Sequence, residues 1–256
     1  MGKTICIANQ KGGVGKTTTA VNLAASISSE GHRVLLVDMD PQGNASSGVG
    51  VRPKEGERTG YHLLMGISSL KEVVTQSAVE NLFVIATNQD LAGAEVELVG
   101  EKDRALRLKR ALAPIKEKLD YIIIDCPPSL SLLTLNALVA SESVIIPMQC
   151  EYYALEGLSQ LVHTITRVKR ALNHELDIGG ILFTMYDTRN NLTRQVADEV
   201  RGHFSDKVFE TIIPRNVKLS EAPSFGQPAL IYDPRSKGAQ GYIDLARELL
   251  SKGAAI

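Results

Sequence analysis

One stretch constrains this chain more than any other: NQKGGVGKTTTA at 9–20. It follows an apolar run, TICIA at 4–8, and enters a segment in which Ala20, Leu23, Ala24 and Ile27 recur on one helical face. Strand, glycine turn and helix in that order form an anion site, because backbone N–H groups and the helix N-terminus converge on the turn. The stretch almost matches G-x-x-x-x-G-K-[ST], the loop that cradles phosphate, but Gln10 stands where the first glycine belongs and a second lysine, Lys11, stands beside it. Gly12, Gly13 and Gly15 can take positive φ values and let N–H groups approach phosphate oxygens. Lys16 is placed to reach β- and γ-phosphates, Thr17 is expected to begin the helix and to offer its hydroxyl to Mg²⁺, and Val14 and Thr18 complete the nucleotide loop.

The rest of the chain repeats the same alternation. Apolar runs of strand length occur at 33–38, 82–86, 121–125, 143–147 and 178–184, and they do not alternate with polar residues. Such runs suit parallel strands covered on both faces. Helical stripes lie between them, as in Leu158, Leu161, Ile165 and Val168. The expectation is an α/β fold: a doubly wound, mostly parallel sheet flanked by helices, with right-handed crossovers. At 256 residues, 44% hydrophobic and 22% charged, the chain needs only one domain, 1–256. Segments 48–56 and 223–238 read as long surface loops. Cys6, Cys126 and Cys150 lack metal-type spacing and read as buried free thiols in a reducing compartment. No apolar run approaches membrane-spanning length, so a cytoplasmic location is expected. A formal net charge of -1 gives no global attraction to nucleic acid or lipid, and any such binding must come from a local patch.

Acids end two of the strands: VLLVDMD places Asp38 and Asp40, and YIIIDCPP places Asp125, at carboxyl edges where open α/β sheets hold their ligands. A lone aspartate there is an ordinary turn former, but three beside a phosphate loop suit Mg²⁺ or its waters. Magnesium-bound ATP carries roughly two negative charges, of which Lys16 compensates about one. Lys11 could supply the other. It lies on the far side of the glycine turn and need not point into its own nucleotide: pointing outward it could reach the nucleotide of a second subunit, or it is a solvated surface lysine.

KGGVGKTT (11–18), VDMDPQGNASSGVG (37–50), IIIDCPPSL (122–130), FTMYDTRNNLTRQV (183–196) and IPRNVKLSEAPSFGQP (213–228) together resemble the ParA/Soj chromosome-partitioning ATPases from first strand to last helix. Loops beginning KGG are shared more widely, by MinD, nitrogenase iron protein and arsenical-pump ATPases; the later blocks narrow the resemblance to ParA/Soj. It implies a P-loop NTPase with a deviant Walker A motif that hydrolyses ATP with Mg²⁺ and forms a homodimer sandwiching two nucleotides. By the same resemblance Lys11 contacts the partner's nucleotide, Asp40 is needed for hydrolysis, Asp38 and Asp125 serve the metal through water, and Met185, Pro214 and Asn216 hold adenine. The dimer would bind double-stranded DNA nonspecifically through Arg189 and Lys218, which implies a nucleoid-associated protein. Arg194, Arg215, Arg235 and Lys237 could extend the patch or be ordinary solvated cations. Without an evident arginine finger, intrinsic turnover is expected to be slow and to be stimulated by a ParB/Spo0J-type activator. No helix-turn-helix domain precedes the loop, so operator recognition is not expected.

A MinD-like membrane ATPase is the main competitor and would require a basic amphipathic C-terminal helix. QGYIDLARELLSKGAAI instead offers a stripe of Tyr242, Leu245, Ala246 and Leu249 with few basic neighbours, which suits a helix docked on the domain. Membrane binding is therefore not expected. A metabolic enzyme would need a substrate pocket that no added loop suggests; nitrogenase-like electron transfer would need cysteines that bridge a cluster between subunits, and Cys126, directly after Asp125, is better explained as a small strand-end residue.

Overall fold

The computed structural model describes residues 2–252. Their strands form one seven-stranded sheet in the order β3-β4-β2-β5-β1-β6-β7. In chain order these are β1 (Lys3–Ile7), β2 (Val34–Asp38), β3 (Val74–Gln76), β4 (Leu82–Ile85), β5 (Tyr121–Asp125), β6 (Ser143–Met148) and β7 (Asp177–Phe183). All neighbours run parallel except β3, which pairs antiparallel with β4. The central strands are buried along their length because helices cover both faces, which is why their sequences are apolar without alternation.

Successive residues of β1 divide between two cores: Cys6 joins the one packed under helices 132–140 and 154–171, and Ile5 and Ile7 join the one under helices 16–29 and 237–251. Strand order reverses beside β1, since β5 and β2 lie to one side and β6 and β7 to the other. A crevice at the carboxyl ends of strands results at such a point, and the glycine turn leaves β1 directly into it.

The helix Lys16–Ser29 is buried on more than the expected stripe; Val21, Asn22, Ala25, Ser26 and Ser28 are also covered. The reason is the C-terminal helix Lys237–Ser251, whose Tyr242, Leu245, Ala246 and Leu249 are all buried and whose Tyr242 hydroxyl hydrogen-bonds Thr19 at 3.0 Å. The docked reading of that helix therefore holds. Among the described residues no helix is long and apolar enough to cross a membrane.

Two expectations need correction. Segment 223–238 is not a surface loop: it holds part of a short 3₁₀ turn, Ala222–Phe225, the helix Ala229–Tyr232 and the start of the last helix. Ala229 is buried and donates its N–H to Asn22 Oδ1 at 2.7 Å, so the prolines and glycines there shape a packed corner. The strand β3 was not anticipated, because VTQ is short, half polar and exposed at a sheet edge. The three cysteines are buried and free, as expected.

Candidate nucleotide-binding site

The loop between β1 and the first helix is held open from both sides. Asn9 donates to the Pro147 carbonyl at 2.7 Å and accepts the Lys11 N–H at 3.0 Å, which ties the start of the loop to the end of β6. The Val14 carbonyl accepts from Thr184 Oγ1 at 2.8 Å, which ties its far end to β7. Asn9 and Thr184 were not singled out in the sequence; only their positions at strand ends hint at this bracing. Gly13 and Gly15 are left-handed, with φ 75° and 89°. Gly12 is not, contrary to expectation; its contribution is space, since a Cβ there would meet nothing within 4 Å. The helix begins one residue earlier than expected, at Lys16.

The two lysines face different surroundings. Lys16 is only 7% exposed, and its Nζ donates to the Lys11 carbonyl at 3.1 Å. Burial lowers its pKa, while Asp125, Cys126 and Asp40 pull the other way. The Lys11 side chain is 42% exposed and forms an ion pair with Glu151, on the segment that follows β6. Glu151 carries no motif and was not anticipated.

Sheet register puts Asp38 directly beside Asp125. Asp38 is fully buried and organises its own loop: Oδ2 accepts from the Ser46 N–H at 2.8 Å and its hydroxyl at 2.7 Å, and Oδ1 accepts from the Asp40 N–H at 3.1 Å. Burial raises its pKa to about 6 against those hydrogen bonds. Asp125 is equally buried, yet neither carboxylate oxygen has a hydrogen bond of ordinary geometry. Burial first, and then Asp38, push its pKa well up; the nearby Thr17 hydroxyl and Lys16 oppose the shift. An orphaned buried carboxylate next to a threonine hydroxyl fits a hard cation. Among the described residues no three acidic, histidine or cysteine side chains cluster to hold a metal alone, so Thr17, phosphate oxygens and water would complete the shell. Asp40 is half-buried at the loop's edge and accepts the Gln42 N–H at 3.0 Å.

A cavity of about 230 Å³ adjoins the loop, lined by Gly15, Thr18, Met185, Pro214, Asn216 and Tyr242 among others. The structure thus brings the residues expected for adenine together against the phosphate loop. Asn216 uses its carbonyl oxygen to cap a short helix through the Lys218 N–H at 2.9 Å, leaving the amide NH₂ to donate. Met185 has φ 49°, a left-handed backbone that costs a side-chain-bearing residue on the order of 1 kcal/mol or more, and its sulfur accepts from Gln149 Nε2 at 3.0 Å. Strained residues of this kind concentrate where ligands bind.

Beyond the cavity, Tyr186 donates its N–H to the Ile213 carbonyl at 3.1 Å, which joins the segments carrying Arg189, Arg215 and Lys218. Arg189 closes on Asp187 with two hydrogen bonds, at 2.9 and 2.8 Å, and holds that carboxyl down at about 2. Lys218 pairs with Glu221 at 2.9 Å and lies over the Tyr232 ring. Arg194, Arg215, Arg235 and Lys237 are exposed.

A glycine turn at a sheet crevice, a buried lysine and a cation-ready carboxylate define a P-loop nucleotide-binding ATPase fold. The AAA domain family model matches residues 2–178. The chain is 58% identical to the sporulation initiation inhibitor protein Soj of Bacillus subtilis, over 99% of this chain and 100% of that protein. It is 57% identical to the chromosome partitioning protein ParA of Myxococcus xanthus, over 98% and 89%. A solved structure of cobyrinic acid a,c-diamide synthase from Mycobacterium smegmatis, with bound ADP and magnesium, superposes with a TM-score of 0.87 at 36% identity, covering 100% of this chain and 96% of that one. The chain belongs to the ParA/Soj family of chromosome-partitioning ATPases.

Proposed function

We propose that this protein hydrolyses ATP with Mg²⁺ as a single-domain partitioning ATPase whose ATP-bound form is a symmetric homodimer. The observation that carries this reading is the division of labour between the lysines: Lys16 is buried inside the loop and Lys11 is directed outward to an exposed carboxylate. An outward cation at the rim of a phosphate site is available to a second subunit packed face to face. Exposed Leu130, Tyr152 and Tyr153, on segments that follow β5 and β6, give that face apolar area to bury.

Mg²⁺, when bound, neutralises charge on the β- and γ-phosphates. Gly12, Gly13, Val14, Gly15 and Thr18 would embrace phosphate, Lys16 would hold it, and Thr17, with Asp38 and Asp125 through water, would hold the metal. Asp38 also holds the Asp40 backbone through its N–H, and Asp40 orients the attacking water. Met185, Pro214 and Asn216 receive adenine. Two copies of Arg189 and Lys218, joined by dimerisation, bind duplex DNA without sequence preference and place the protein on the nucleoid, because two modest patches on one polyanion bind far better than one. A ParB-type partner stimulates hydrolysis and releases the dimer. The buried last helix argues against the MinD-like membrane alternative, since its apolar stripe is already covered.

The test is Lys11→Ala followed by sedimentation with ATP and by ADP titration. Dimerisation should weaken at least about tenfold while ADP affinity of the monomer changes less than about twofold; equal losses would make Lys11 a ligand of its own nucleotide.

A further inference from the structure

A cavity of about 830 Å³ shares no lining residue with the nucleotide pocket. It lies between the helix Gly60–Met65, the turn Leu70–Val73, the segment 100–103 and the helix Arg107–Leu112. Its floor is apolar, formed by the buried Leu63 and Leu64 with the half-buried Leu70 and Ala111. Four cations and two acids stand around the mouth. Arg107 pairs with Glu101 at 3.3 Å and Arg110 with Asp103 at 2.7 Å, which cancels those charges. Lys71 and Lys102 line the same cavity and, among the described residues, have no acidic partner. The mouth therefore carries two uncompensated positive charges above an apolar floor.

A second feature marks the site independently. Ser68, which lines the cavity, is only 8% exposed, and its hydroxyl is buried without a hydrogen-bond partner. Buried hydroxyls are normally paired, and leaving one unpaired costs about 1–3 kcal/mol. The size falls within the range of small-molecule pockets, about 300–1,000 Å³.

We propose that this cavity is a binding site for a small amphipathic anion, with its apolar body on the leucine floor, its anionic group between Lys71 and Lys102, and a polar atom paired with the Ser68 hydroxyl. The charge selects an anion over a cation or a basic peptide, and the apolar lining selects a hydrophobic body over a bare inorganic ion.

The experiment uses the full chain and two fluorescent probes, anilinonaphthalene sulfonate and phenylnaphthylamine, which share one apolar body and differ by the sulfonate. The sulfonate should bind at one saturable site about tenfold more tightly than the neutral probe, the gain expected of one charge-assisted contact. Lys71→Glu combined with Lys102→Glu should remove that preference and leave phenylnaphthylamine binding unchanged. Gly100→Phe should abolish both: Gly100 lines the cavity, and a Cβ there would meet nothing within 4 Å, so the ring can enter the space without backbone strain. Unchanged ADP affinity verifies that each variant is folded, and Ala111→Leu fills the floor should Gly100→Phe fail that check. Equal affinity for the two probes, or sulfonate binding that survives filling of the cavity, would overturn the assignment and place the probe on exposed apolar residues such as Val96 and Val99.

Discussion

Replacing Asp125 with asparagine should make the nucleotide-free protein more stable while weakening its response to magnesium nucleotide. The magnitude follows from its neighbour. Asp38 titrates at about 6 instead of 3.8, and at about 1.4 kcal/mol per unit this is roughly 3 kcal/mol of destabilisation once both forms are ionised. Asp125 is as deeply buried and is shifted in the same direction, by burial first and then by Asp38, so its charged form also destabilises the nucleotide-free fold. A buried amide without partners gives back about 1–3 kcal/mol of that relief. With the cost at Asp38 as a guide, the net gain is up to about 2 kcal/mol, or up to roughly 4–8 °C in Tm for a chain of this size. The sign with pH is fixed. A carboxyl whose folded pKa is raised imposes no cost below its unfolded value, and the cost grows as pH rises toward the folded value. Urea unfolding without nucleotide should therefore show Asp125→Asn ahead of the parent at about pH 8, with the lead shrinking toward about pH 5. Added Mg-ADP should reverse the order by stabilising the parent more. A gap independent of pH, or a variant less stable at both values, would refute an uncompensated charge at Asp125.

Thr19→Val removes the partner of the buried Tyr242 hydroxyl and should cost about 1–3 kcal/mol, seen as a lower urea midpoint, without changing the monomer's ADP affinity. Asp40→Ala should retain ATP binding and accumulate as dimer while hydrolysis falls about a hundredfold or more; an unchanged rate in a phosphate-release assay removes Asp40 from the mechanism. Arg189→Glu should weaken DNA binding and flatten its salt dependence while ATP-driven dimerisation, followed by light scattering, stays as in the parent.

What could be read from the sequence was set by local pattern. YIIID and VLLVD announce buried parallel strands, and GGVGKT announces an anion turn, because each is complete within a few consecutive residues. Residues that depend on register were harder. Nothing local says that Asp38 will be satisfied by Ser46 while Asp125, beside it on the neighbouring strand, will have no hydrogen bond of ordinary geometry; that difference arises only when β2 and β5 align. Glu151 meets Lys11 across 140 positions and follows no motif. The packed corner around Ala229 was hidden by prolines and glycines that elsewhere mark exposed loops. Met185, Pro214 and Asn216, proposed here for adenine, are pointed to by family resemblance alone, and the left-handed Met185 has no signature in its own sequence.

The central claim is that nucleotide gates DNA binding through pairing of subunits. Its most direct test is the affinity of the unmodified protein for random-sequence duplex with ATP, with ADP and without nucleotide, at one fixed salt concentration. Binding should be at least about tenfold tighter with ATP than in the other two states, with a dependence on protein concentration that reports a dimer. The same affinity in all three states would contradict it.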